Sequence, residues 1–205
     1  MADVKHFDPS AVVGTVQQLL WQRGWANTGV QDIVDVTGVG RSSLYATFGS
    51  KQDLCLAAIQ RYLAEQAAPV FGALQADRRG LPAIADFFGG LITARCVGPR
   101  ARWGCLITNL LADAQGQENA IADVLVEHND RLVSALSAAL RAATDREQLR
   151  ADVDLHGAAE QLALLAHGVN LRSRTGADEA TLRSAVAAAL NALRGPGVLA
   201  DTWPR

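Results

Sequence analysis

The chain has 205 residues, 49% of them hydrophobic and 20% charged, with a formal net charge of -2. That length and apolar content suffice for one large or two small domains around a sizeable core, and they exclude a disordered chain. No basic run followed by an apolar stretch and a small-residue cleavage site occurs near the start, and no apolar run approaches the ~20 residues of a membrane span, so a cytoplasmic protein without membrane contact is expected.

Cys55, Cys96 and Cys105 are odd in number and lack metal-ligand spacing. They read as buried small hydrophobes rather than as a disulfide framework or a metal site, and no cofactor is expected.

In chain order, Asp8 followed by Pro9 opens a first helix whose apolar stripe is Val12, Val13, Val16, Leu19 and Leu20, and Gly24 ends it. Thr28 with Gln31 three residues on has the form of a capping box, so a second helix starts there. Val30, Ile33, Val34 and Thr37 are its buried side, and Gly38 supplies the left-handed stop. Val39 plugs the turn. After Gly40 a third helix begins, because Leu44 and Phe48 fall on one buried face, and Arg41, Ser42, Ser43, Tyr45, Ala46 and Thr47 point elsewhere. An outward face of one arginine, hydroxyls and a tyrosine offers donors suited to phosphates and to base edges in a major groove.

Ser50 caps a fourth helix with Asp53, and Lys51 occupies its first turn, where the helix dipole disfavours a cation. An outside anion is the expected partner of Lys51. Over residues 1–65 the bases Lys5, Arg23, Arg41, Lys51 and Arg61 are outnumbered by the acids Asp3, Asp8, Asp32, Asp35, Asp53 and Glu65. A general electrostatic sponge for DNA is thereby excluded, and locally placed cations with the acids facing away are what remains.

The fourth helix, about 51–77, packs Leu54, Ala58, Ile59, Tyr62 and Leu63 on the first three and is expected to kink at Pro69. Further helices are placed at 82–97, 102–114, 118–144, 154–175 and 178–194. The breaks are Gly98-Pro99, Gly116, the charged run 145–154 and Gly176. The tail, 195–205, is either disordered or pinned by Trp203.

The stretch 28–51 resembles the helix-turn-helix of the TetR family of bacterial transcriptional regulators. Thr37, Gly38, Val39, Leu44, Tyr45, Phe48, Ser50 and Lys51 stand at the spacing of that family's pattern, and Gly40 departs from it where a serine cap is common. The resemblance covers roughly 9–63. It implies an all-α chain of about nine helices, with an N-terminal three-helix DNA-binding domain at 1–50 and a helical effector-binding and dimerisation domain at 51–194. Carried over position by position, Arg41, Ser42, Ser43, Ala46 and Thr47 would face bases, Thr28, Tyr45 and Lys51 would hold phosphates, and Gln31 would join the DNA-facing set.

The implied partners are a double-stranded operator, a second copy of the chain and a small organic effector, with release of DNA on effector binding. Candidate pocket residues are Phe87, Phe88, Leu91, Trp103, Cys105, Leu106, Asn109, Leu125, His128, Asn129, Leu132, Gln161, Leu165 and Asn170. Among them Asn109, Asn129 and Asn170 stand out, because an amide on an apolar helix must find a partner or a ligand. His128 and His167 read as hydrogen-bonded structural histidines.

Leu155, Leu162, Leu164, Leu165, Val169 and Leu171, then Leu182, Val186, Leu190 and Leu193, exceed what one helix face needs, so the surplus either packs within the monomer or forms a four-helix dimer interface, for which Leu162, Leu165, Val169, Leu182, Val186 and Leu190 are the leading candidates. Arg95, Arg100 and Arg102 around the Gly98-Pro99 break either bind an anion or form a solvated loop. No nucleophile motif or phosphate loop is present, and the consecutive His128, Asn129 and Asp130 diverge around a helix. An activator or ligand-independent regulator with the same head is the alternative; a small helical enzyme or carrier is a remote one.

Overall fold

A computed structural model describes residues 7–112 and 119–196. The Gly116 break, the reading of the tail at Trp203, and Asp3 and Lys5 lie outside the described residues. The described chain is helical throughout, apart from turns and one isolated antiparallel bridge between Leu149 and Arg194. No helix among the described residues is long and apolar enough to cross a membrane.

The first helix, α1 (Pro9–Arg23), is capped by the Asp8 carboxylate, which accepts from the Ser10 N–H at 2.8 Å. Its stripe buries Val12, Val16, Leu19 and Leu20 as expected, together with Trp21. The second, α2 (Val30–Thr37), begins one residue later than the Thr28–Gln31 spacing implies. Gly29 is the cap residue, and its N–H donates to the Asp32 carboxylate at 2.7 Å. Thr28 is 1% exposed and gives its hydroxyl to the Gly24 carbonyl at 2.7 Å, while Gln31 donates to Asp35. Asp32, a carboxylate, outcompetes the neutral amide of Gln31 for the cap N–H.

Gly38 ends α2 at φ 69°, and α3 (Arg41–Phe48) follows with Leu44 as its buried residue. Next, α4 (Lys51–Tyr62) starts with the expected Ser50–Asp53 reciprocal pair: the Asp53 N–H donates to Ser50 Oγ at 3.0 Å and the Ser50 N–H to Asp53 Oδ2 at 3.1 Å. It runs through a π-helical turn, Leu63–Ala67, into α5 (Ala68–Ala76). The widened turn lies just ahead of Pro69, whose ring cannot sit against the carbonyl of residue 65 and has no N–H to offer it. The rod thus bends where the proline demands and ends at Asp77.

The remaining helices are α6 (Leu81–Cys96), α7 (Leu106–Ala112), α8 (Asn119–Asp145), α9 (Leu155–Arg174) and α10 (Glu179–Leu193). Counting α4, the π turn and α5 as one rod, nine rods make up the described residues. The helix expected from 102 starts instead at Leu106, because Arg102 and Gly104 adopt φ values of 66° and 68° that no helix contains. Gly104 is required there: a Cβ would lie 2.9 Å from Arg174 Cδ and 3.0 Å from the Asn170 carbonyl oxygen.

Two apolar cores result. One gathers Val16, Leu20, Ile33, Leu44, Leu54 and Ile59 of α1–α4 with Leu106, Ile107 and Leu110 of α7 and Ile121 and Leu125 of α8. The head is therefore underpinned by α7 and the start of α8. The other core joins Ile84, Phe88 and Ile92 of α6, Leu132, Leu136 and Leu140 of α8, and the inner faces of α9 and α10.

Candidate nucleic-acid interface and internal cavity

The outward face of α3 is as the sequence suggests. Arg41, Ser42, Ser43, Tyr45 and Ala46 are exposed, Thr47 is half-buried, and Leu44 and Phe48 turn toward the head core. Arg41 makes no ion pair among the described residues. The acids that outnumber the head's bases are engaged in local structure. Asp8, Asp32 and Asp53 hold helix starts, Asp32 also pairs with Arg23 at 2.9 Å, and Glu65 pairs with Arg61 at 2.9 Å. Asp35 accepts from Gln31 at 2.8 Å and stays exposed on α2, while α3 itself carries no acid.

Two expectations at this interface are corrected. Thr28 is buried with its hydroxyl already given to Gly24, so it has none to offer a phosphate. Lys51 has an internal partner: its Nζ lies 4.4 Å from the centroid of the Trp25 ring. That cation–π contact orients the ammonium without neutralising it, so Lys51 still presents a charge beside α3. Trp25 was not singled out from sequence, since it follows the Gly24 stop and lies outside every periodic stripe.

Between the two cores is a cavity of about 340 Å³. From the head core come Trp21, Tyr62 and Cys105; from the body come Phe71, Phe87, Leu91, Leu132 and Ala166; the polar members are Gln66, Arg95, Thr108, His128, His167 and Asn170. It opens between α5 and α6, where the lining residues Val70, Asp86, Gly90 and Ala94 are exposed.

Of the pocket candidates, Phe87, Leu91, Cys105, His128, Leu132 and Asn170 line this cavity. The others do not. Phe88, Leu106 and Leu125 are buried core residues, Gln161 is exposed on α9, and Leu165 packs against the body core. Trp103 stands edge-on to Trp21, ring centroids 5.6 Å apart. Asn109 donates to the backbone carbonyls of Trp103 and Trp21 at 2.9 and 3.3 Å, and Asn129 Oδ1 meets His167 Nε2 at 3.2 Å. All three amides thus found protein partners, and of them only Asn170 lines the cavity, where it accepts from Arg95 Nε at 2.8 Å and donates to the Ala166 carbonyl at 2.9 Å. Arg95 is turned inward rather than forming a solvated loop, and Arg100 lies 5.2 Å from the Trp21 ring.

Trp21 is the lining residue that periodicity should have found, since it continues the α1 stripe after Leu20. Its indole N–H donates to the Gly104 carbonyl at 2.8 Å, and its ring meets Tyr62 edge-on at 4.9 Å. The cavity wall is thus part of the head's first helix.

Around Cys105 the chemistry is concentrated. The Tyr62 hydroxyl donates to Cys105 Sγ at 3.4 Å, and His128 hydrogen-bonds to the same sulfur. Burial alone would push the thiol up; the His128 bond and charge, the Arg95 charge and the Tyr62 bond outweigh it and bring it down to about 6. Burial pushes Cys55 up to about 12, and raises the half-buried Cys96 as well, burial again first and the charges of Glu179 and Asp178 after it. The cysteines are not equivalent: Cys55 is the inert buried thiol expected, Cys96 is less buried than expected, and Cys105 is chemically distinct. His167, bonded to Thr108 Oγ1 at 3.1 Å, is held below its ordinary value by burial and then by the nearby His128 charge.

A tight helix-turn-helix with an exposed polar second helix, mounted on a helical body with an internal cavity, defines a helix-turn-helix transcriptional regulator. The family description "Bacterial regulatory proteins, tetR family" matches residues 17–58, and "Tetracyclin repressor-like, C-terminal domain" matches 80–189. The chain is 30% identical over 159 residues to the HTH-type regulator YezE of Bacillus subtilis (strain 168), covering 77% of this chain and 81% of that one. It is 27% identical over 175 residues to the HTH-type transcriptional repressor ComR of Escherichia coli (strain K12), covering 84% and 82%. Among solved structures, reduced E. coli NemR superposes with a TM-score of 0.79 at 21% identity, covering 93% of this chain and 98% of that one. A cysteine mutant of CifR in complex with a 26 bp operator superposes with a TM-score of 0.80 at 22% identity, covering 94% and 100%. This chain belongs to the TetR family of transcriptional regulators.

Proposed function

We propose that this regulator is a homodimeric repressor that binds a near-palindromic operator and is released by a small, largely apolar effector. The observation that carries the reading is Trp21, which belongs to the first helix of the DNA-binding head and also walls the cavity. A molecule that fills the cavity presses on the head through that ring and its bond to Gly104. Induction is then a population shift toward a head spacing that misfits the operator, limited by the effector's differential affinity for the two states. The relatives named as repressors, ComR among them, favour repression over activation.

Operator recognition falls to α3. Arg41, the one long donor on that helix, grips a guanine; Ser42, Ser43, Ala46 and Thr47 face neighbouring bases; Tyr45 and Lys51 hold phosphates, with Gln31 nearby on α2. Two copies must place their α3 helices about 34 Å apart, or a multiple of it, to read successive major grooves.

Of the apolar residues on α9 and α10, the leading interface candidates are covered within the monomer. Leu162, Val169, Leu182, Val186 and Leu190 are buried inside the monomer, and Leu165 packs against the same core. What α9 leaves outside is Leu164, 69% exposed, with Gly168 and Leu171, and α10 adds the exposed Ala185, Ala188 and Ala192. Small residues flanking two leucines let two copies approach closely, so these outer faces form the two-fold interface.

A titration of the chain's own upstream DNA against unrelated DNA by fluorescence anisotropy tests the reading. Arg41→Ala should cost about 1–3 kcal/mol on the specific site and relax preference at one base pair. Lys51→Ala should weaken all sequences alike and lower the salt slope by about one. Equal losses on every sequence for both variants refute this division of roles, and no preference for the upstream DNA in the wild type refutes the repressor.

A further inference from the structure

Cys105 sits in the cavity within a constellation that non-covalent binding of an apolar effector does not need. Tyr62 from α4, Arg95 from α6, His128 from α8 and His167 from α9 all line the same space. Tyr62 donates to the sulfur at 3.4 Å, and His128 bonds to it. Arg95 is fixed by Asn170 at 2.8 Å and carries no carboxylate partner among the described residues. A buried thiol usually sits among apolar groups and stays protonated. Here one hydroxyl donor, one imidazole and one guanidinium converge on it, and the space beside it is roomy enough, at about 340 Å³, for a small organic molecule.

We propose that the cavity captures its effector covalently: Cys105 adds to the β-carbon of an α,β-unsaturated carbonyl compound, and the adduct is the induced state. The bookkeeping needs no oxidant or second reactant. The thiol proton passes to the His128 imidazole, and Sγ forms a bond to the β-carbon. The alkene π pair moves toward the carbonyl as an enolate, and the proton on His128 then goes to the α-carbon. The product is the thiol added across the double bond, with nothing lost. Tyr62 and Arg95 are the donors within the cavity for the oxygen on which charge develops, and the apolar walls of Phe71, Leu91 and Leu132 take the organic chain. The other two cysteines serve as internal controls, since neither lines the cavity and burial raises both.

The regulatory half of this inference rests on the repressor reading above; the chemical half does not, and the test separates them. The full chain is treated with methyl vinyl ketone at about pH 7, and butan-2-one, which has no acceptor double bond, is run in parallel. Adducts are read by intact mass and peptide mapping, and DNA release by anisotropy on the upstream DNA. One adduct of the full ketone mass should form on Cys105 at least about tenfold faster than on Cys96 or Cys55. Cys96→Ser should keep the adduct and Cys105→Ser should lose it. The rate should fall only below about pH 6, and His128→Gln should move that fall to higher pH because a group that favours the thiolate is gone. DNA should be released by the unsaturated ketone and not by the saturated one.

First modification at Cys96 or Cys55, or none, overturns the thiol site. Equal release by butan-2-one, or an adduct on Cys105 that leaves DNA bound, overturns covalent induction. A chain that never prefers its upstream DNA yet is alkylated at Cys105 overturns the repressor and supports the thiol site.

Discussion

The head and the body of this molecule distribute polar groups in opposite ways. On the head, Arg41, Ser42, Ser43 and Tyr45 of α3 face solvent, while Leu44 and Ile33 are hidden beneath them. In the body, Asn170, His128 and Arg95 turn inward on a cavity, while Leu164 and Leu171 of α9 stand outside. An exposed donor keeps its hydration until a phosphate or base replaces the water, so it costs the folded chain little. A buried donor must be answered within the protein, which is why Asn170, His167 and Tyr62 each have a named partner. The same reasoning underlies the different partners proposed above for the two outward surfaces: DNA for the polar one, a second copy for the apolar one.

The strongest way to break this contrast is to place a charge on the body's apolar face. Leu164→Glu lies on the surface of the monomer, so the chain should keep its helical circular dichroism. In the dimer the same carboxylate would be buried without a counter-ion, at several kcal/mol per ion and twice over across a two-fold axis. Sedimentation should show a dimer for the wild type and a monomer for the variant, with operator affinity falling in parallel. An unchanged dimer would mean that the copies meet elsewhere.

Next in size is the residue that joins the two regions. Trp21→Ala removes a buried indole, its bond to Gly104 and its edge contacts with Tyr62 and Trp103. Chemical denaturation should show a loss of about 3–5 kcal/mol. The milder Trp21→Phe keeps the wall but drops the N–H. It should retain the fold and weaken the response of DNA binding to effector, which a purely packing role would not do.

What could be read from the sequence follows the same division. The head was legible because its signals are local: Ser50 with Asp53, Gly38 at a left-handed stop, Leu44 four residues before Phe48. Even its error, a cap at Thr28 instead of Gly29, came from a near-tie one residue apart, with Asp32 taking the bond that Gln31 was given. The cavity was legible only in part, because its lining comes from several helices whose relative rotation no periodicity reports. Asn109 and Asn170 look alike in sequence, yet one is held by the carbonyls of Trp21 and Trp103 away from the cavity, and the other lines the cavity while held by Arg95 and the Ala166 carbonyl. Periodicity marked which face of α9 and α10 is apolar, and Leu162 and Val186 are indeed buried, but it cannot say whether the same chain or a second copy covers them. The start of α7 was misplaced because the positive φ values of Arg102 and Gly104 leave no mark in hydropathy.

A smaller effect sharpens the head side of the contrast. Ser50→Ala removes the acceptor for the Asp53 N–H at the start of α4 and should cost about 1 kcal/mol by denaturation. Because Lys51 is the next residue, the same change should loosen the phosphate contact proposed for it and weaken DNA binding without altering which sequence is preferred.

The smallest effect lies on the body side and concerns proton uptake. His167 is held below its ordinary 6.5 by burial and then by His128, so the folded chain binds fewer protons there than the unfolded chain does. Its contribution to stability is present above 6.5 and is lost as the pH falls toward the depressed folded value. Cys105 works with the same sign over a different window: held at about 6 against an ordinary 9.0, its contribution fades from 9.0 downward and is spent once the pH drops below about 6. Asp77, Asp178 and Glu179 are all held below ordinary values of 3.8 to 4.5, so their contributions fade only in more acid solution. A urea midpoint followed from about pH 6 to about pH 5 therefore isolates the histidine. The midpoint should fall in the wild type and fall less in His167→Asn, which keeps polar atoms toward Thr108 and cannot take up a proton. Equal slopes in both proteins would mean that His167 is as easily protonated in the fold as outside it, and that the inward-facing polar ring is wetter than its hydrogen bonds imply.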